Sequence, residues 1–202
     1  MRRVGALIFP DFELLDVFGP LQMLGLFQEE FHLDLVAEDK GPVSSHQRVC
    51  AQADVAIADG QEFDVLLVPG GAGTRREVDN QSLIDWIAER SSKSEYTLGV
   101  CTGSALLARA GVLDGRKATT NKAAFDWVCS QGPAVEWVKK ARWAEDGKFL
   151  TSSGVSAGID MTLGAIQLMH DVEMAEKAAM WAEYTWHRDK DDDPFAALHG
   201  LA

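Results

Sequence analysis

A cysteine flanked by glycines is the residue of this sequence best placed to do chemistry. Cys101 lies between Gly99 and Gly103, at the end of an apolar run. This spacing is the cysteine version of the G-x-S-x-G nucleophile elbow, a sharp strand-to-helix turn that holds a reactive side chain at its tip. Because residues 104–111 predict a short helix, Cys101 would lie at a helix N-terminus, where backbone N–H groups favour negative charge. We therefore expect a nucleophilic thiol with a lowered pKa, the alternative being a buried, unreactive cysteine.

A single carboxylate, Asp16, interrupts the apolar segment 14–20. Apolar surroundings disfavour the charged form of a carboxyl group, so we expect the pKa of Asp16 to rise toward neutrality. A protonated Asp16 could donate a hydrogen bond to the thiolate and carry a proton during a reaction. A helix-capping aspartate is the alternative. Pro20 lacks the N–H that would bond the Asp16 carbonyl, which predicts that the local helix begins or breaks here.

The glycine-rich turn at 69–73 follows a second apolar run at 63–68. Glycine N–H groups can approach a reacting centre closely, so the turn predicts an oxyanion hole in which Gly70 and Gly71 donate to developing negative charge. An ordinary turn that uses the conformational freedom of glycine is the alternative. A nucleotide phosphate loop is disfavoured, because Arg76 stands where a dinucleotide motif needs Gly or Ala and the sequence has no Gly-Lys-Ser/Thr.

The histidines give little support for a Cys–His pair, the common arrangement of a nucleophilic cysteine. His170, followed by an aspartate, is better explained as the cap of a helix C-terminus than as part of an amidotransferase-type triad. His187 and the three aspartates at 191–193 could bind a cation, but a solvated acidic tail is the favoured interpretation.

Composition indicates one globular domain over residues 1–202. The chain has 47% hydrophobic and 25% charged residues, and no apolar run reaches the roughly 18 residues needed to cross a bilayer. The first apolar run is too short for a signal peptide. A net charge of −12 would repel nucleic acid and anionic membranes, so we expect neither as a partner. Three cysteines at no metal-ligand spacing indicate a reduced, cytoplasmic protein without a metal site.

Short β-like runs alternate with helical ones, which predicts an α/β fold with a largely parallel sheet. The predicted strands are 3–9, 31–36, 63–68, 96–100 and 117–119, with short strands or a hairpin within 42–58 and a hairpin of 135–138 with 141–144 that continues to 149–151 through an Asp-Gly turn. The predicted helices are 14–27, 82–90, 104–111, 121–129 with Asn121 as N-cap, 157–169 and 172–186. Ligands bind beyond the carboxyl ends of such strands, so Asp16, the 69–73 turn and Cys101 are expected to share one crevice.

Three motifs of this sequence together resemble those of the DJ-1/PfpI superfamily. The motifs are Leu-Asp-Val-Phe-Gly-Pro at 15–20, Pro-Gly-Gly-Ala-Gly at 69–73 and Gly-Val-Cys-Thr-Gly at 99–103. The motifs most similar to its isonitrile hydratase branch are Cys-Thr-Gly at 101–103, the aspartate before Gly-Pro, Ala-Thr-Thr at 118–120 and the segment 154–160. The resemblance implies a flavodoxin-like three-layer sandwich, with a mostly parallel sheet and helices on both faces. It also implies a homodimer with Asp16, Cys101 and Thr102 in the active site.

Two positions depart from the patterns of this superfamily. The isonitrile hydratase branch commonly has a histidine after its Ala-Thr-Thr run, where this chain has Asn121, so Asn121 is expected at the substrate and the exact substrate stays open. The peptidase and glyoxalase-like branches have a histidine directly after the cysteine, where this chain has Thr102. Without an adjacent imidazole to act as base, proteolysis and glyoxal hydration are disfavoured.

The resemblance implies a cofactor-free hydro-lyase that converts a small-molecule isonitrile to an N-substituted formamide. Cys101 would attack the terminal isonitrile carbon to give a thioimidate, and Asp16 would supply and recover protons. Backbone N–H groups of Gly71 and Thr102 would stabilise charge. The alternatives are a redox or stress protein in which Cys101 is oxidised to a sulfinate held by Asp16, and a non-catalytic ligand-sensing domain. The same domain occurs fused to helix-turn-helix regulators, but no DNA-binding segment is expected here.

Overall fold

A seven-stranded sheet lies at the centre of the structure, a computed structural model that describes residues 1–201. The strands are β1 (Arg2–Leu7), β2 (Phe31–Ala37), β3 (Gly41–Ser44), β4 (Cys50–Ala53), β5 (Val55–Ala56), β6 (Val65–Val68), β7 (Tyr96–Val100), β8 (Lys117–Ala118), β9 (Glu136–Trp137), β10 (Trp143–Asp146) and β11 (Phe149–Ser152). The helices are α1 (Leu14–Gly25), α2 (Thr74–Glu77), α3 (Gln81–Lys93), α4 (Gly103–Arg109), α5 (Phe125–Gln131), α6 (Ala157–Met169) and α7 (Val172–Trp181).

The central sheet has the strand order β10-β11-β7-β6-β1-β2-β5. Its strands pair in parallel except for β10 and β11, which are antiparallel. Helices α1, α6 and α7 pack with one another, and α2, α3 and α5 pack around α4. The expected three-layer α/β fold with a mostly parallel sheet is therefore confirmed.

The inner strands are apolar because helices cover both faces of the sheet. All four residues of β6 are buried, as are the last four of β1. Strands β1, β6 and β7 are neighbours in the sheet, and their carboxyl ends meet at one edge. Helix α1 follows β1, the 69–73 turn follows β6, and Cys101 follows β7. The topology thus brings the three sequence motifs together at that edge.

The C-terminal hairpin involves different strands from those predicted. The run at 135–138 does not pair with 141–144, because β9 pairs in parallel with β8 instead. Strand β10 pairs with β11, and Gly147 forms the turn between them with a φ of +61°. The Asp-Gly turn signal was correct, because glycine adopts this left-handed conformation without strain. The partner assigned to the first run was wrong.

Two helices have different limits from those predicted. Helix α5 begins at Phe125, and Asn121 Oδ1 accepts a hydrogen bond from Ala124 N at 3.1 Å, so Asn121 caps the turn before the helix. Helix α7 ends at Trp181, short of the predicted end, where Glu183 adopts a positive φ of +48°. A positive φ cannot continue a right-handed helix.

Pro20 does not break α1. The helix continues through Pro20, which is buried together with its neighbours Gly19 and Leu21. The missing N–H costs one hydrogen bond, to the carbonyl of Asp16. Tertiary packing of the buried face supports the helix despite that loss.

Candidate active site

Cys101 occupies the turn between β7 and α4, as the elbow motif predicts. Its φ is +56°, a left-handed conformation that non-glycine residues adopt rarely, and it is 5% exposed. Glycines on both sides permit close packing. A Cβ at Gly99 would lie 2.7 Å from Leu107 Cδ1, and a Cβ at Gly103 would lie 2.7 Å from the carbonyl carbon of Pro69. The thiol is therefore held in a strained and tightly packed turn.

Two hydroxyl groups that the sequence analysis did not identify stabilise this turn. Ser104 Oγ and Thr120 Oγ1 each donate a hydrogen bond to the Cys101 carbonyl oxygen, at 2.9 Å in both cases. Both side chains are buried, so they satisfy a polar atom that water cannot reach. Thr120 belongs to the Ala-Thr-Thr run that contributed to the family resemblance, so that motif could have identified Thr120 as a residue of the site.

Asp16 is fully buried beside the thiol. Its Oδ2 accepts a hydrogen bond from Gly70 N at 2.9 Å, whereas Oδ1 has no regular hydrogen-bond partner among the described residues. Burial raises the pKa of Asp16 well above its ordinary value, and the charge of Glu13 raises it further. The hydrogen bonds from Gly70 and Cys101 act in the opposite direction without cancelling the effect of burial. The expected rise of this pKa is confirmed.

The thiol itself behaves differently from the sequence-based expectation. Burial raises the pKa of Cys101 well above its ordinary value, and the nearby charge of Asp16 raises it further. Hydrogen bonds from the Thr102 N–H and from the Asn121 side chain lower it, but by less. The prediction of a lowered pKa was wrong, because helix α4 is short and its N-terminal N–H groups do not compensate for the loss of water. Burial therefore favours the protonated form of both the carboxyl group and the thiol.

The glycine turn positions the neighbours of the thiol. Gly71 N donates to Thr102 Oγ1 at 3.1 Å, and Thr74 Oγ1 donates to the same oxygen at 3.1 Å. Gly71 has a φ of +127°, which favours glycine at this position. Since Gly70 N binds Asp16, neither glycine N–H of the predicted oxyanion hole is free in this structure. The turn orients the carboxyl group and the threonine hydroxyl instead.

Asn121 and Gly154 complete the surroundings of the sulfur. The Asn121 side chain lowers the pKa of Cys101, and its Oδ1 accepts a hydrogen bond from Ala124 N. A Cβ at Gly154 would lie 3.1 Å from Cys101 Sγ and would collide with Asn121 Nδ2. Only a glycine backbone therefore fits between these two groups. Gly154 was missed as a site residue, although the segment 154–160 contributed to the family resemblance.

A cavity of about 280 Å³ opens at Cys101 and Thr102. Besides Cys101 itself, the ionisable side chains that line it are those of Glu13, His46 and Arg75. Within residues 1–201, no histidine side chain hydrogen-bonds to the thiol. The site therefore brings together Asp16, Cys101, Thr102, Asn121 and the glycine turn.

The remaining sequence candidates lie away from the thiol. His170 caps the C-terminus of α6, as favoured, and its ring contacts Arg2 Nη1 at 3.2 Å. The prediction of a solvated acidic tail is wrong at Asp193, which is buried with Oδ2 at 3.9 Å from Lys122 Nζ and Oδ1 at 3.7 Å from Arg142 Nη1. Two cations offset the cost of burying this carboxylate.

No three His, Cys, Asp or Glu side chains of residues 1–201 are grouped so that they could hold a metal ion. None of the helices in the described part of the chain combines the length and apolar character needed to span a bilayer.

The sequence model of the DJ-1/PfpI family matches residues 2–168. This chain belongs to that family. The match extends from β1 through α6, so it includes each element that carries a site residue.

Three similar proteins illustrate the range of the family. The isonitrile hydratase of Pseudomonas putida is 32% identical over 182 residues, which cover 90% of this chain and 78% of that protein. The HTH-type transcriptional regulator CdhR of Pseudomonas aeruginosa is 30% identical over 84% of this chain and 51% of the regulator. The crystal structure of a ThiJ/PfpI family protein from Pseudomonas syringae superposes with a TM-score of 0.84 at 29% identity, covering 96% of this chain and 76% of that one. Relatives thus include an enzyme and a regulator.

Proposed function

We propose that this protein hydrates an isonitrile, R–N≡C, to the N-substituted formamide R–NH–CHO. The observation that carries the proposal is the buried pair of Cys101 and Asp16, in which burial raises the pKa of both groups. Because burial favours the protonated form of both groups, the pair can add sulfur and hydrogen to one carbon atom. The terminal carbon of an isonitrile accepts this addition. The 32% identity to an isonitrile hydratase supports the same assignment.

In the first step, the isonitrile carbon takes a proton from Asp16 and the Cys101 sulfur bonds to that carbon. The carbon lone pair forms the C–H bond, and one C–N π bond becomes the nitrogen lone pair. The thiol proton passes to the Asp16 carboxylate, so the product is R–N=CH–S–Cys101 beside a protonated Asp16. The hydrogen bonds from Thr102 N–H and Asn121 stabilise negative charge on sulfur while it develops.

In the second step, water adds its oxygen to the thioimidate carbon. Asp16 protonates the nitrogen and takes a proton from the water, which gives R–NH–CH(OH)–S–Cys101. The intermediate then forms the C=O bond and expels the sulfur. The hydroxyl proton passes through Asp16 to the sulfur, so the thiol and the carboxyl group are both regenerated. One water is consumed for each formamide released.

The hydrogen bonds of the site fit these roles. Gly70 N holds Oδ2 of Asp16, which leaves Oδ1 as the oxygen that exchanges protons. Asn121 stands where a histidine is common in the isonitrile hydratase branch, and an amide donates hydrogen bonds without acting as a base. Proton transfer is therefore assigned to Asp16 in this proposal.

The raised thiol pKa also favours hydration over the redox alternative. Thiolate is the species that peroxide oxidises, and a buried thiol of raised pKa forms little thiolate at neutral pH. Addition to an isonitrile needs both the sulfur and a proton, and the pair supplies them together.

We further infer that the protein works as a cytoplasmic homodimer on a small molecule. Cys50, Cys101 and Cys129 are free thiols, which fits a reducing compartment. Apolar side chains of Phe18 and Leu168 are exposed on α1 and α6, two helices that pack together, and they offer surface for a second copy. Light scattering of the purified protein tests the dimer, and a monomer at micromolar concentration would contradict it.

Turnover of cyclohexyl isonitrile by the purified protein tests the proposed reaction, with the formamide detected by NMR and mass spectrometry. We expect turnover in the wild type and in Cys50→Ser, and none in Cys101→Ser. Cys50 is exposed and is the matched control for loss of a thiol. In water enriched in ¹⁸O, the formamide oxygen should carry the label. Absence of wild-type turnover, or retained turnover in Cys101→Ser, would refute the proposal.

A further inference from the structure

The chain beyond α7 carries an unexplained arrangement of residues. Asp193 is buried, with its side chain 0% exposed, whereas Phe195 is 49% exposed two residues later. Burying a charge and exposing an aromatic ring both cost free energy relative to the reverse arrangement. Sites that break such local rules are commonly functional. Contact with a bound molecule would explain why the Phe195 ring is exposed in this structure.

Asp193 fixes the position of this segment against the body of the protein. Its Oδ atoms lie between Lys122 and Arg142, and its N donates to the Lys140 carbonyl oxygen at 2.7 Å. The same carboxylate accepts a hydrogen bond from Phe195 N at 3.1 Å. The Phe195 backbone is therefore hydrogen-bonded directly to the buried carboxylate of Asp193.

The anchored segment forms a wall of a second cavity, of about 340 Å³. Phe195 and His199 line it together with Leu15, Asn121 and residues 153–156. Asn121, Ala123 and Val155 line both this cavity and the cavity at Cys101. The two cavities are therefore adjoining lobes of one site, with the Gly154 backbone passing beside the thiol.

The two lobes differ in chemistry. The lobe at the thiol has Glu13, His46 and Arg75 in its lining. The second lobe presents the apolar side chains of Leu15, Val155 and Phe195. Its polar lining consists of Asn121, Ser153, Ser156, His199 and a lysine. Its one lysine, Lys122, is buried and donates to Thr119 Oγ1 at 2.8 Å and to the Ala141 carbonyl oxygen, so its charge is already engaged. An uncharged aliphatic or aromatic group suits this surface.

We infer that the second lobe binds the organic substituent R of the isonitrile and that Phe195 determines which substituents fit. This inference rests on the proposed function. With the terminal carbon at Cys101, the substituent extends past Asn121 into the second lobe and contacts the Phe195 ring. The substrate class is thus an uncharged isonitrile with an apolar R group large enough to reach the ring.

Size selectivity of the Phe195→Ala variant tests the inference. A hydrophobic contact of this kind changes kcat/KM by roughly 10-fold to 200-fold. We expect kcat/KM for cyclohexyl isonitrile to fall at least tenfold, with methyl isonitrile little affected. Leu198→Ala is the matched control, because Leu198 lies in the same segment, is 75% exposed and does not line the lobe. Phe195→Leu keeps apolar volume, and we expect an intermediate effect if Phe195→Ala does not fold.

A second measurement separates this inference from the proposed reaction. Alkylation of Cys101 by iodoacetamide and by N-benzyl iodoacetamide reports on the lobe without any isonitrile. We expect Phe195→Ala to slow only the benzyl reagent relative to the wild type. If the wild type turns over no isonitrile but shows this change, the proposed function fails and the apolar subsite stands. Unchanged size selectivity in both assays overturns the inference, as does a change confined to the oligomeric state.

Discussion

Replacing Gly70 with alanine tests how closely the glycine turn must approach the thiol elbow. A Cβ at this position would lie 2.6 Å from both Thr102 N and Thr102 Oγ1, and 2.9 Å from Asp16 Oδ2. Ordinary contact begins at 3.4 Å, so the turn and the elbow must separate by about 0.8 Å. Thr102 N is a backbone atom that cannot rotate away, and the two side-chain oxygens are held by hydrogen bonds from Gly70 N and Gly71 N. The displacement therefore falls on the groups that hold the proton donor and the nucleophile.

The size of the effect follows from that displacement. Misplacement of catalytic groups by about 1 Å costs roughly 100-fold in rate, or about 2.7 kcal/mol of transition-state stabilisation. Overpacking costs about 1–3 kcal/mol of stability, which leaves a domain of this size folded but lowers its melting temperature by several degrees. We therefore expect a folded Gly70→Ala protein whose isonitrile turnover is roughly 100-fold below the wild-type value.

The assay measures kcat for cyclohexyl isonitrile beside circular dichroism and thermal melting of the same sample. Gly164→Ala is the matched control, because its Cβ would lie 3.4 Å from Trp143 Nε1 in ordinary contact and alanine favours a helix. We expect wild-type turnover and an equal or higher melting temperature for the control. A folded Gly70→Ala protein with wild-type turnover would refute the packing argument.

Three further predictions concern the ionisation of the pair. Asp16→Asn should lower kcat by roughly 10²–10⁴-fold. It should also gain stability relative to the wild type as the pH rises above about 4 in denaturant titrations, because the unfolded wild-type protein then releases the Asp16 proton whereas burial raises the pKa of Asp16 in the folded protein. In a Cys50→Ser, Cys129→Ser background, iodoacetamide should label Cys101 with an apparent pKa above the ordinary thiol value of about 8.5, since burial and Asp16 raise it. An apparent pKa of Cys101 below the ordinary thiol value would instead support the expectation that the N-terminus of α4 lowers the thiol pKa. Peroxide at pH 7 should oxidise exposed Cys50 before buried Cys101, as peptide mass spectrometry can show, and early sulfinate on Cys101 would favour the redox alternative.

Most of the fold and the positions of the main site residues could be predicted from local sequence. The glycines around Cys101 predicted the elbow because close packing of that turn depends on residues within the turn itself. The rise in the pKa of Asp16 was predictable because its apolar neighbours in α1 already indicated burial. The hairpin turn at Gly147 was predictable for the same reason, since its conformation is a property of two adjacent residues.

Features that depend on distant parts of the chain were not predictable in this way. The pKa of Cys101 is raised by burial and by Asp16, which is far away in sequence, whereas the motif showed only the helix that follows it. Asp193 belongs to a run of aspartates typical of a solvated segment, and its two cations come from Lys122 and Arg142. Gly154 lies close to the thiol because it follows β11, and β11 pairs with β7, the strand that precedes Cys101.

The protonation of the buried pair connects the fold to the choice of reaction. A cysteine nucleophile that attacks carbonyl compounds or peroxide benefits from a preformed thiolate, whose formation is favoured by a cation, an imidazole or a helix N-terminus in direct contact with the sulfur. In this structure Cys101 interacts with Asp16, and burial raises the pKa of both groups. Such a pair is poorly suited to those reactions, but it matches an addition in which the substrate carbon takes a proton as sulfur bonds to it. The hydrogen bonds of the glycine turn to Asp16 and Thr102 hold that geometry in place. The raised pKa values of this pair therefore support the proposed addition over chemistry that begins with a free thiolate.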